Sequence, residues 1–238
     1  MLELAPSGFE ELEGDGWLEL ATYVDAVGEA GLRAALGEVV SSSPVEGGWE
    51  DRWRAFHRPV RAGGLWIGPP WERAPRDAVS VVVDPGRAFG TGAHPTTRLC
   101  VELLARSERG SLLDAGCGSG VLGVAAVRLG YDPVHAVDLD PAAVGVAGET
   151  ASLNAVRVQV RRADVLRDEL PAVDLVVANI ELHAVETLLA RHPAPRAITS
   201  GYLAREAPVA PGWEHRNRLV LDGWAADVFR AAATSSQR

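Results

Sequence analysis

A doubly wound α/β domain built on a parallel sheet, preceded by a small α+β module, is the architecture that this 238-residue sequence predicts. Three observations carry that expectation. Short apolar runs alternate with stretches of helical periodicity through most of the chain beyond residue 78. A glycine-rich turn at residues 116–120 separates one such run from the helical stretch after it. The first 44 residues are different in kind: they hold nine carboxylates and a single base, Arg33, and so carry nearly all of the net charge of −9.

Residues 17–24, WLELATYV, predict a strand. Residues 26–40 place Leu32, Leu36, Val39 and Val40 at helical spacing, which predicts a helix that Gly28, Gly31 and Gly37 weaken. The stretch SSSPVEGG, 41–48, has the composition of a linker. WEDRWRAFHRPV, 49–60, reads as a short amphipathic turn or helix that stops before Pro59. These signals place a small acidic module at 1–44, a linker at 45–57 and the α/β domain at 58–238. Five of the seven tryptophans lie within residues 1–71, where they are expected to anchor the module and the linker.

Beyond the linker, strand and helix are predicted in pairs at 79–83 with 95–106, 111–115 with 120–129, 134–137 with 141–153, and 174–178 with 182–190. Pro95 and Pro141 each suit a first helical turn, and Asp140 suits the cap before Pro141. HRNRLVLD and WAADVFRA flank Gly223, which predicts a terminal antiparallel hairpin.

Composition excludes several classes. The longest aliphatic runs are about five residues, against roughly twenty for a membrane-spanning helix. The acidic start has no basic region ahead of an apolar core, so no secretory signal is read. Cys100 and Cys117 are too few for a disulfide scaffold or a zinc cluster, and read as free thiols in a reducing cytoplasm. All 23 basic residues are arginine, but they form no basic stripe, so direct nucleic-acid binding is not expected. His57, His135, His183, His192 and His215 lack the company of other metal ligands, so no metal site is expected.

The strongest chemical signal is LLDAGCGSGVLG, 112–123. Gly116, Gly118 and Gly120 let the chain turn sharply after a strand and bring backbone amides close to a ligand at a helix N-terminus. Twenty-two residues after Gly116, Asp138 closes the next strand, where a carboxylate can hold both hydroxyls of a ribose. A nucleoside-containing cofactor follows. Gly118, Gly120 and Gly123 also satisfy the dinucleotide pattern, so NAD and an oxidoreductase stay open at this point. Three features favour S-adenosylmethionine. Asp114 can organise the glycine loop, Asp164 can meet an adenine amino group, and Asn179 stands at the carboxyl end of the fourth strand beside the crevice. A second glycine-rich segment, DPGRAFGTGAHPTTRLC at 84–100, carries Gly86, Gly90 and Gly92 and reads as a lid. His94, Thr96 and Thr97 within it open a helix.

These pieces together resemble the ribosomal protein L-eleven methyltransferases, the PrmA family. The resemblance rests on PSGFEELE at 6–13, the W…W…RPV…LWIGPPW stretch at 49–71, DPGRAFGTGAHPTT at 84–97, LLDAGCGSGVLGVAA at 112–126, VDLDP at 137–141, VVANI at 176–180 and SGYL at 200–203. It implies a class I methyltransferase domain with a Rossmann-like, seven-stranded, mostly parallel sheet and a C-terminal antiparallel hairpin, preceded by a small recognition module. It implies transfer of methyl groups to lysine and N-terminal amines of one basic ribosomal protein, with Thr97, Gly116, Asp138 and Asn179 as cofactor contacts. Gly118 and Asp164 join them from the reading of the residues, and Asn179 is also the expected catalytic residue. Its side-chain oxygen, with neighbouring carbonyls, would accept the N–H bonds of the incoming amine. His94 is weighed as a proton shuttle against a structural role. The chain departs from the family in three places. It begins at the segment that the family usually precedes with a strand and part of a helix. It leaves little room for a helix over GYLAREAPVAPGWEH, 201–215. It has NIE at 179–181 where NIL is commoner. A relative acting on another protein or on a small amine is the alternative these departures raise.

Overall fold

The computed structural model describes residues 10–14, 17–21, 26–37, 41–42, 57–85 and 92–232. The chain divides into two compact units, Met1–Arg52 and Trp53–Arg238.

In the first unit, β1 (Glu10–Gly14) and β2 (Trp17–Ala21) form an antiparallel pair, with Gly14 opposite Trp17, and α1 (Ala26–Leu36) follows. β1 is not among the predicted strands. Its sequence, EELEG, holds three glutamates and has low strand preference, so only its pairing with β2 reveals it. The strand expected over 17–24 is observed to Ala21, and the helix expected over 26–40 ends at Leu36. Residues 22–25, 38–40 and 43–56 lie outside the described residues, and with them the amphipathic segment at 49–56 and the side chains of Trp17, Trp49 and Trp53.

The second unit contains two sheets. A small one runs β3 (Val60–Ala62), β4 (Leu65–Gly68), β5 (Ser80–Val82), with β3 antiparallel and β5 parallel to β4. This corrects the expectation that the 79–83 run opens the doubly wound sheet. An apolar run says strand but not which sheet it joins, and here Val81 pairs with Ile67. The outer edge of β5 is closed by a side chain: Asn154 accepts from the Val82 amide at 2.8 Å and donates to the Val82 carbonyl at 2.6 Å. The buried Asn154 thereby satisfies two backbone groups that would otherwise be orphaned.

The main sheet has seven strands: β6 (Leu112–Ala115), β7 (Val134–Asp138), β8 (Gln159–Arg162), β9 (Leu175–Asn179), β10 (Arg196–Leu203), β11 (Trp213–Leu221) and β12 (Trp224–Ala231). Their spatial order is β11-β12-β10-β9-β6-β7-β8. β10 through β8 in that order are parallel, and β12 is antiparallel to both of its neighbours. This is the seven-stranded, mostly parallel arrangement with a terminal hairpin. The hairpin turns at Asp222 (φ 48°) and Gly223 (φ 80°), the two positive values that a two-residue turn between right-twisted strands needs. No helix lies between β10 and β11.

Among the described residues four helices cover the sheet: α2 (Pro95–Arg106), α3 (Val121–Arg128), α4 (Pro141–Leu153) and α5 (Leu182–Arg191). On one face Leu112, Val177 and Ile198 pack with Leu103 and Leu104 of α2 and Val124 of α3. On the other, Leu113, Val176 and Ala178 pack with Leu188 of α5. Central strands buried on both faces account for their nearly unbroken apolar runs. Among the described residues no helix is long and apolar enough to cross a membrane.

Candidate functional site

The strand order makes one place special. From β6 the chain winds outward through β7 and β8, then returns to the other side of β6 to form β9 and β10. The loops leaving β6 and β9 therefore diverge at their carboxyl ends and open a crevice between them. A cavity of about 350 Å³ occupies it, within the range of small-molecule sites. Thr97, Gly116, Gly118, Asp138, Asp164 and Asn179 all line it, so the structure gathers all six residues expected from the sequence around one space.

The glycine loop is shaped by close approach. Gly116 has φ 77°, and a Cβ there would lie 2.3 Å from Cγ2 of Ile180, the residue that follows Asn179. The amides of Gly116 and Cys117 both donate to the Val137 carbonyl at 2.9 Å, which ties the loop to the end of β7. Asp138 completes the tie. Its Oδ2 accepts from the Gly118 amide at 2.9 Å and its Oδ1 from the Asp140 amide at 3.0 Å. Each carboxylate oxygen keeps a further lone pair for a ligand. Asp140 caps α4 by accepting from the Ala142 amide at 2.8 Å, as its place before Pro141 predicts.

Asp164 stands after β8. Its Oδ1 accepts from the Leu166 amide at 2.8 Å, which turns the chain, and its Oδ2 lies 3.6 Å from Nε of the exposed Arg167. On the facing side, Asn179 closes β9 beside Ser200 of β10. Its Nδ2 donates to Oγ1 of the buried Thr97 at 3.4 Å, which leaves Oδ1 as the amide's acceptor.

Asp114 sits differently from the expectation that it organises the loop. It is buried, its Oδ2 accepts from the Gly123 amide in the first turn of α3 at 2.9 Å, and its Oδ1 has no partner among the described residues. Burial pushes its carboxyl up to about 7; the Gly123 bond opposes this and the Asp138 charge adds to it. Burial, reinforced by the Asp114 charge, also pushes the Cys117 and Cys100 thiols up, so neither is a reactive thiolate.

His94 does not line the cavity. It is the N-cap of α2: Nδ1 accepts from the Thr96 amide at 3.4 Å and lies 2.7 Å from the Thr96 hydroxyl, while the ring meets Trp224 edge-on at 4.9 Å. Burial lowers its pKa and keeps the ring neutral. The geometry gives it a structural role. Of the expected lid, residues 86–91, with Gly86 and Gly90, lie outside the described residues.

Sequence reasoning missed the apolar walls: Leu139, Val165, Leu166, Ile180 and Ala184. A signal for them exists. Leu139 follows Asp138, Val165 follows Asp164, and Ile180 follows Asn179, so each polar strand-end residue is trailed by an apolar one at the crevice.

The residues present fit S-adenosylmethionine. Among the described residues, the only charged side chains in the lining are carboxylates, suited to hydroxyls and an adenine amino group. Apolar walls flank them, suited to a base, and an amide-rich glycine loop faces the same space. Three comparisons bear on the identity of the chain. The family model described as Ribosomal protein L11 methyltransferase (PrmA) matches residues 18–229. A ribosomal protein L11 methyltransferase of Pelobacter propionicus is 37% identical over 242 residues, covering 90% of this chain and 77% of that one. The corresponding protein of Symbiobacterium thermophilum is 36% identical over 246 residues, covering 96% and 80%. The crystal structure of the ribosomal protein L11 methylase of Lactobacillus delbrueckii subsp. bulgaricus superposes with a TM-score of 0.66 at 25% identity, over 74% of this chain and all of that one. With its glycine loop, its paired Thr97 and Asn179 and these matches, the chain belongs to the ribosomal protein L11 methyltransferase (PrmA) family of S-adenosylmethionine-dependent methyltransferases.

Proposed function

We propose that this chain transfers methyl groups from S-adenosylmethionine to amines of ribosomal protein L11, on lysine side chains and the N-terminus. The observation that carries this is the Thr97–Asn179 pair, set at the switch point of the sheet in a chain that matches the family over residues 18–229. The cofactor supplies a methyl group on a sulfonium. Asp138, which fixes Gly118, would hold the ribose hydroxyls, Asp164 would meet the adenine amino group, and Gly116 lets Ile180 pack closely against the glycine loop.

The acceptor nitrogen must be neutral to attack. A lysine with a pKa near 10.4 costs roughly 4–5 kcal/mol to deprotonate at pH 7. Among the described residues no strong base lines the cavity; the chain's contribution in this reading is orientation. The Asn179 amide, turned by its bond to Thr97, presents Oδ1 to an N–H of the amine and so aims the lone pair. Desolvation in the crevice lowers the amine's pKa.

Residues 1–44 form the recognition module in this reading, 45–57 its linker and 58–238 the transfer domain. The eight-charge acidic excess of the module suits a basic protein partner. The two free, buried thiols and a ribosomal substrate support a cytoplasmic location. The test is transfer from labelled S-adenosylmethionine to purified ribosomal protein L11, read by intact mass with whole lysate as a parallel acceptor. Mass added in methyl steps is the expected result. Labelling of a different lysate component alone would replace the substrate and keep the cofactor.

A further inference from the structure

Acidic side chains cluster around this end of the sheet, and nearly all of them are engaged by backbone amides. Asp138 accepts from Gly118 and Asp140, Asp140 from Ala142, and Asp164 from Leu166. Further out, Glu186 accepts from the Val209 amide at 2.8 Å and Glu206 from the Leu203 amide at 2.8 Å. Glu181 differs. It is exposed, and among the described residues its carboxylate makes no hydrogen bond or ion pair.

Glu181 does not itself line the cavity, but its chain neighbours do. It follows Asn179 and Ile180 directly and precedes Ala184 by one helical turn, and all three of those residues line the cavity. The backbone there is held firmly. The Ile180 amide donates to Ser200, and Gly201, at φ 101°, passes so close that a Cβ would lie 2.1 Å from the Ile180 carbonyl oxygen. Glu181 is also the N-cap of α5, in an extended conformation with no side-chain cap bond. Serine, threonine, aspartate or asparagine would satisfy that helix end. A residue that breaks the local rule beside a site is where a functional demand is to be sought. Among the described residues no basic side chain lines the cavity.

We propose that Glu181 is a specificity-determining residue that selects a cationic acceptor, receiving the ammonium form of the amine at the mouth of the cavity before it reaches Asn179. This rests on the reading of the chain as an amine methyltransferase. Capture and reaction need opposite surroundings. A carboxylate attracts an ammonium but holds its proton on, so it is useful at the wet rim and harmful beside the reacting nitrogen. From the rim, the ammonium gives its proton to solvent water, and the neutral nitrogen then meets Oδ1 of Asn179.

Two readouts test this. In steady-state methylation of ribosomal protein L11, Glu181→Gln raises KM for the protein about fivefold, the upper end for an exposed ion pair, and Glu181→Lys raises it further. The kcat of Glu181→Gln stays within about twofold, and the salt dependence of its KM weakens. Beside this, the complex of the enzyme with S-adenosylhomocysteine is titrated with n-butylammonium, the lysine side-chain cation, by NMR. The wild type binds it about fivefold more tightly than Glu181→Gln, and the difference fades with salt. Equal affinities, or no binding to the wild type, overturn the proposal whichever protein is the substrate. A fall in kcat with KM unmoved also overturns it. Lack of methyl transfer by the wild type to ribosomal protein L11, with the n-butylammonium difference intact, overturns the substrate reading alone.

Discussion

Asp114 in the parallel half of the main sheet and Asp227 in the antiparallel half are each about 1% exposed, yet their surroundings push them in opposite directions. Asp114 stands at the base of the glycine loop with one backbone donor and an unpartnered oxygen, and burial carries it up to about 7. Asp227 sits on β12, where burial also works against the charge. Arg218 of β11 reaches both of its oxygens at 2.9 Å, the Tyr202 hydroxyl donates at 2.8 Å and His215 Nε2 at 2.6 Å, and these hold its carboxyl below the usual range. Burial sets the penalty for a charge; the donors that surround it decide whether the charge survives. The hairpin saturates its polar groups and is built to stay put. The cofactor end leaves Oδ1 of Asn179 and free lone pairs of Asp138 facing a cavity, and a ligand can complete them.

Asp114→Asn breaks the contrast most directly. The raised pKa means that the folded protein holds a proton that the unfolded chain releases, so the wild type loses stability as pH rises from about 4 to about 7. The variant is expected to lack that slope and to be the more stable at pH 8, by up to about 4 kcal/mol. Urea unfolding across this range checks it, and parallel curves for the two proteins would show Asp114 to be charged throughout. Asp227 has the opposite sign: its contribution is present above the unfolded value near 3.8 and is lost as pH falls through its lower folded value.

Removing donors sharpens the same comparison. Arg218→Met strands the Asp227 charge and is expected to cost about 3 kcal/mol of unfolding free energy at pH 7. At the partner-poor end, stability should be spared and turnover lost. Asn179→Ala is expected to lower kcat about a hundredfold, the scale of losing one oriented polar group in a reaction site. Asn179→Asp keeps an oxygen acceptor and should lose much less. Equal, near-wild-type rates in both would remove Asn179 from the chemistry. The smallest effect is expected for His94→Ala, about 1 kcal/mol of stability for the lost cap of α2, with kcat changed only a few-fold.

Local signals were legible wherever one residue type has a single cheap solution. The Asp140–Pro141 cap, the Asp222–Gly223 turn and the glycine turn before α3 can be read from a few neighbouring letters, and all lie where the pattern places them. Asp138 was legible because the spacing from the glycine loop is the length of one helix and one strand. Features made between distant segments were not legible. β1 needs β2 to be a strand, β5 needs β4 to choose its sheet, and the Asp227 cluster joins residues 202, 215, 218 and 227 across three strands.

The sequence by itself determined the class of fold and the position of the glycine loop, because strand–helix alternation and glycine spacing are short-range constraints that a chain carries wherever it goes. Only the tertiary structure decided the protonation of Asp114, the capping role of His94, the attachment of the small sheet through Asn154 and the unengaged carboxylate of Glu181. Each of these depends on which groups from remote parts of the chain come within hydrogen-bonding distance, and on how much water remains between them.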